Sequence, residues 1–135
     1  MANAVYDLWK DLIASAGLGL ATLDLTAATL KVAAIDTGVY TFSQAHEDFA
    51  DVSGVIGTPV ELTSPTVTGK TIDAANATFT DLDGTSIEAL LIYMDTGVAG
   101  TSPLVAFIDT GVTGLPLTTD GEATVAWDAA GIFDL

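Results

Sequence analysis

The chain contains no cysteine and no arginine, and its only basic residues besides His46 are Lys10, Lys31 and Lys70. Without cysteine there are no disulfides, no thiolate nucleophile and no cysteine-based zinc site. The three lysines stand against 18 acidic residues, a formal net charge of −15 at pH 7. A surface of that sign repels phosphate backbones and anionic lipid heads, so neither nucleic acid nor membrane is expected as a partner. Long apolar runs are missing too, since none approaches the ~20 residues that span a bilayer. The opening MANAVYDLWK sets Asp7 against Lys10 and lacks the basic region of a signal peptide, so synthesis in the cytoplasm is expected. Glycine-rich phosphate loops and clusters of histidine with carboxylates are absent from the sequence, which leaves no expected cofactor or metal.

What is present is apolar material. Half of the 135 residues are hydrophobic, which argues against disorder despite the charge. The length suits one domain over 1–135. Val5, Leu8, Trp9, Leu12 and Ile13 fall at helical spacing and predict an N-terminal helix over 3–16, with Asn3 as cap and Gly17 and Gly19 as the stop. That stripe packs on its own domain or on a neighbouring subunit. From residue 22 onward short strands alternate with Gly, Pro, Asp and Thr turns, predicting a mainly β, antiparallel β-sandwich or jelly-roll-like fold over 22–135.

Within that region ATLKVAAID alternates, with Leu30, Val32 and Ala34 on one face and Lys31 on the other. SQAHEDFADVSG reads as a loop or short surface helix. PVELTSPTVTGKTI is broken by Pro59 and Pro65, which suits an edge strand or a connection. SIEALLIYM and PLVAFID are apolar on both faces, as central strands are. EATVAW follows an Asp120–Gly121 turn and sets Ala123, Val125 and Trp127 on one face.

Three of the apolar runs end in the same four residues, Asp-Thr-Gly-Val, at Asp36, Asp95 and Asp109. Asp-Thr-Gly after a buried strand is also how an aspartic protease presents its carboxylate. That chemistry needs two carboxylates sharing a proton about 3 Å apart, one from each half-site. Here there are three copies, and the 14-residue step from Asp95 to Asp109 fits two ends of one hairpin better than two lobes. An aspartate that accepts a hydrogen bond from the amide two residues on, with glycine free to take positive φ, explains the repetition without chemistry. The motif reads as three turns.

The other polar groups read the same way. His46 has Glu47 and Asp48 beside it, but no Gly-x-Ser-x-Gly elbow exists to supply a nucleophile, and a solvated surface histidine is expected. Asp81-Leu82-Asp83-Gly84 departs from the EF-hand loop, which needs glycine and glutamate where Ser86 and Ile92 stand. An irregular calcium site at that turn stays open. Asn76-Ala77-Thr78 is a glycosylation sequon that reads as a turn. No residue is expected to be catalytic, to bind a cofactor or to ligate a metal, and the protein is not expected to be an enzyme.

The order of segments resembles one family. YDLWKDLIASAGLGL leads to LDLTAATLKVAAID and the acidic HEDFADVSG; SIEALLIYMDTG and SPLVAFIDTG follow, and GEATVAWDAAGIFDL closes the chain. Over nearly its whole length this resembles the small virion proteins of tailed bacteriophages called head cement or decoration proteins. The least generic piece is WDAAGIFDL, where Trp127 and Phe133 flank Gly131. The resemblance implies a β-rich subunit, a homo-oligomer and often a trimer, bound to the major capsid protein on the outside of the capsid and without catalytic residues.

Other classes fit parts of the sequence. A tail, neck or fibre component would share composition and fold. An acidic DNA mimic should spread carboxylates at phosphate-like spacing, whereas here the acids gather at turns. A carbohydrate-binding sandwich should expose aromatics, whereas both tryptophans fall on apolar stripes.

Overall fold

The computed structural model describes residues 4–6, 29–68, 71–109, 112, 120–127 and 131–134. Their strands are β1 (Ala4–Val5), β2 (Leu30–Ile35), β3 (Val55–Glu61), β4 (Thr66–Thr68), β5 (Thr71–Asp73), β6 (Ala77–Asp83), β7 (Ala89–Met94), β8 (Leu104–Ile108), β9 (Asp120–Val125) and β10 (Phe133–Asp134). They form a five-stranded sheet in the order β1-β8-β7-β2-β3, a three-stranded sheet β10-β5-β4 and a ribbon β6-β9. Every pairing is antiparallel. The protein is mainly β, and no α-helix occurs among the described residues.

The N-terminus departs from expectation. Val5 pairs with Ala106 and Ala4 with Phe107, so the start of the helix expected over 3–16 is an edge strand. The unfilled edge of β8 gives the backbone partners that an isolated helical stripe does not reveal. The remainder of that expected helix, 7–16, lies outside the described residues.

The central strands follow from their composition. In β7 all residues but Met94 are buried, and in β8 all five are. Such strands must be covered on both faces. In β2 only Lys31 is not fully buried, so Ala33 and Ile35 face a second apolar layer rather than solvent. One cover is visible in the rings: Phe42 packs against Phe107, and Phe49 stacks on Tyr93 at 4.0 Å. The buried cluster also takes in Ile72 of β5 and Phe79, Leu82 and Val125 of the ribbon.

Pro59 sits in β3, which is the edge of its sheet, as a residue without an N–H should. HEDFADV contains a single 3-10 turn, Phe49–Asp51, capped by Asp48. Ala123, Val125 and Trp127 are buried as the alternation predicts, and the Trp127 Nε1–H donates to the Ala75 carbonyl at 3.0 Å. The Asp120–Gly121 turn is not found. Both residues belong to β9 and pair with Asp83 and Leu82 across an irregular step in β6.

Candidate functional site

The register of the large sheet decides where the three aspartates go. Ile35 pairs with Ala89 and Leu90 with Ile108, so Asp36 and Asp109 leave the sheet at the same end. Leu30 pairs with Met94, so Asp95 leaves at the opposite end. Asp36 and Asp109 are separated by β7, which at the usual strand spacing sets their backbones roughly 10 Å apart. A full strand between Asp36 and Asp109, and the length of the sheet between either and Asp95, set the three backbones farther apart than the spacing of a proton-sharing pair.

Two of the carboxyls serve turns. Asp36 Oδ1 accepts from the Gly38 amide at 2.8 Å, and Asp95 Oδ1 from the Gly97 amide at 3.0 Å. Asp95 also lies 3.0 Å from the Lys31 ammonium. The Gly97 amide first, and Lys31 second, hold the Asp95 carboxyl below the ordinary aspartate range. Thr110 and Gly111, which would complete the third turn, lie outside the described residues.

His46 is not the solvated residue its neighbours suggest. It is half-buried, and its Nδ1 lies 2.8 Å from the Tyr40 hydroxyl. Tyr40 in turn lies 2.8 Å from the hydroxyl of Tyr6, which is wholly buried. The result is a chain of three polar groups running from the edge of the sheet to the surface. Burial pushes both phenols above the ordinary tyrosine range, and the Tyr40 hydrogen bond adds to the shift at Tyr6. Next to this chain Asp51 Oδ2 accepts from the Glu47 amide at 2.9 Å and, more weakly, from Asp48. Those amides, with His46 as a lesser cause, lower the Asp51 pKa.

Around Tyr40 the rings form a cluster. Tyr6 packs on Phe42 at 5.0 Å, Phe42 on Phe107 at 5.3 Å, and Tyr40 on Phe107 at 6.2 Å. Beside them an open cleft of about 400 Å³ is lined by Thr37, Tyr40, Thr41, Phe42, Phe107 and Asp109. Here aromatic residues, hydroxyls and a carboxyl border one open space. Sequence reasoning passed over Tyr6 and Tyr40, because their partners lie 34 and 6 residues away and no motif links them.

The remaining candidates are local. Asp83 Oδ1 accepts from the Thr85 amide at 3.0 Å, and the Thr85 hydroxyl first, with that amide second, lowers the Asp83 pKa. Asn76 is exposed just before β6, and Thr78 hydrogen-bonds Thr124 across the ribbon at 2.9 Å. Among the described residues no three acidic or histidine side chains converge as a metal site would need. No known family pattern matches the chain, and no curated protein matches it.

Proposed function

We propose that this protein is a structural component of a tailed-bacteriophage virion, of the head cement or decoration type. It binds the outside of the assembled capsid as a homo-oligomer, most simply a homotrimer, and stabilises the shell. The observation that carries this reading is the order of segments from YDLWKDLIASAGLGL to GEATVAWDAAGIFDL, which resembles that family over nearly the whole chain. The mainly β, antiparallel structure supports it. The strands share one buried cluster, which supports a single domain of β-sandwich or jelly-roll type over 22–135.

The physical chemistry agrees with such a role. A chain of net charge −15 that coats a particle keeps particles apart and does not adhere to host nucleic acid. The Asp-Thr-Gly carboxyls at Asp36 and Asp95 are engaged in turns. The partner is then the major capsid protein, and the place is the virion surface, reached from the host cytoplasm.

A ligand that binds only the assembled lattice stabilises it by mass action, by about 2.7 kcal/mol per site at a hundredfold excess over Kd. Many copies add, so weak sites raise the temperature at which a filled shell bursts. The experiment compares heat-induced DNA release from particles lacking this protein, with and without the purified protein added back. A higher release temperature on addition is expected. Equal temperatures, or labelled protein found on the tail, would defeat the cement assignment and favour a tail, neck or fibre component.

A further inference from the structure

We propose that His46 is a proton-operated latch on the N-terminal strand. A neutral imidazole holds Tyr6 and β1 against β8, and protonation of the ring releases them.

A count of protons carries the latch. The chain Tyr6–Tyr40–His46 has two contacts, each 2.8 Å long, and each contact takes one proton. With Nδ1 bare, the Tyr40 hydroxyl donates to it and the Tyr6 hydroxyl donates to Tyr40, so both phenol protons are used. An imidazolium carries a proton on Nδ1 as well. Three protons then share two contacts, and the surplus one is left on a phenol. Tyr6 is wholly buried and Tyr40 is 2% exposed, so that proton is kept from water. A buried donor without an acceptor bears its full desolvation penalty, whichever ring carries it.

Tyr6 is what anchors β1, a strand of two residues. Besides the Ala4 and Val5 pairings, the Tyr6 amide donates to the Val105 carbonyl at 3.0 Å and the Tyr6 ring packs on Phe42. Loosening Tyr6 therefore bares the outer edge of β8, where another strand can pair.

The charges around the imidazole are acidic. Glu47 and Asp48 follow His46 in the chain, Asp51 interacts with it from the 3-10 turn, and Asp109 borders the cleft beside Tyr40. Asp51 is exposed, so water and salt screen its attraction for an imidazolium, while the surplus proton is buried. The Glu47 and Asp48 amides hold the Asp51 carboxyl below its ordinary range. Asp51 thus keeps its charge between about pH 7.5 and about pH 5, the window in which an imidazole charges.

The test uses the full-length, isotope-labelled protein at those two pH values. At the higher one the His46 nitrogen shifts should show Nδ1 bare and Nε2 protonated. Amide hydrogen exchange, corrected for the intrinsic effect of pH, gives the protection of the Tyr6 amide. It should fall about tenfold at the lower pH, while the amides of β7 change less than about twofold. His46→Gln supplies an amide oxygen that accepts and does not titrate, so Tyr6 should stay protected at both values. Tyr40→Phe lacks the middle hydroxyl and should leave Tyr6 weakly protected at both.

Equal Tyr6 protection at the two pH values would overturn the proposal. So would a proton on Nδ1 at the higher pH, an equal loss in β7, or an acid-induced loss that persists in His46→Gln. The first three readings need no mutation, so they stand even where a variant fails to fold.

Discussion

Asp36 and Asp95 open the same four residues at opposite ends of one sheet, and each holds the amide two residues on. Their glycines serve different ends. Gly97 has φ +91 with open space where a Cβ would stand. Gly38 is not in the left-handed region; a Cβ there would lie 3.0 Å from Asp36 Oδ1. The surroundings differ as well. The Asp36 turn is held by backbone: the Asp36 amide donates to the Gly54 carbonyl, and the Val39 and Tyr40 amides donate to the Asp36 carbonyl. The Asp95 turn is held by side chains. Ser102 Oγ accepts from the Thr96 amide at 3.0 Å and donates to the Val98 carbonyl at 2.8 Å. The shared tetrapeptide fixes one local bond, and distant neighbours decide the rest.

The largest effect should come at high pH, where both ends respond. Tyr6 and Tyr40 lie near the Asp36 end and Tyr93 near the Asp95 end. Burial, then the Asp95 charge, pushes Tyr93 up to about 12. Burial also raises Tyr6 and Tyr40. A raised folded-state pKa gives stability that is complete below the unfolded value of about 10 and is lost as pH rises through the folded values. Tyrosinate absorbance should therefore stay low at pH 10 and rise together with loss of circular dichroism. Ionisation of any tyrosine near pH 10 with the fold intact would show that one end is open.

Substitution then separates the turns. A Cβ at Gly54 would meet the Asp36 carbonyl at 2.9 Å and the Tyr40 amide at 3.2 Å, at φ +67. Gly54→Ala should cost about 2–4 kcal/mol in urea unfolding and disturb amides at the Asp36 end. Ser102 is wholly buried. Ser102→Ala should cost about 1–3 kcal/mol by leaving the Thr96 amide without its acceptor, with changes confined to the Asp95 end. If either variant moved both ends equally, the two turns would not be independent.

The glycines give the smallest and sharpest contrast. Gly97→Ala should cost about 1–2 kcal/mol, because alanine resists positive φ. For Gly38→Ala the gain from a stiffer unfolded chain offsets the weakened Asp36 bond, and the net change should stay within about 0.5 kcal/mol. Matching losses in parallel urea melts would mean that the copies are one turn after all.

Those contrasts mark what was legible in the chain. The buried strands β7 and β8 were plain, since LLIY and LVAFI leave no polar face to expose. Pro59 correctly marked an edge, and the aspartate turn bonds follow from residue type alone. The stripe beginning at Val5 misled, because periodicity does not register the open edge of β8 that Ala4 and Val5 fill. Asp120–Gly121 looked like a turn because its partners in β6 lie far away in sequence. The cleft was invisible for the same reason. It exists only once β8 brings Phe107 and Asp109 beside residues 37–42, a contact between segments more than 60 residues apart.

The most direct measurement is a map of particles to which this protein has been added back. The account predicts density on the outside of the shell, where capsid subunits meet. Density at the tail, or a shell left bare, would contradict it.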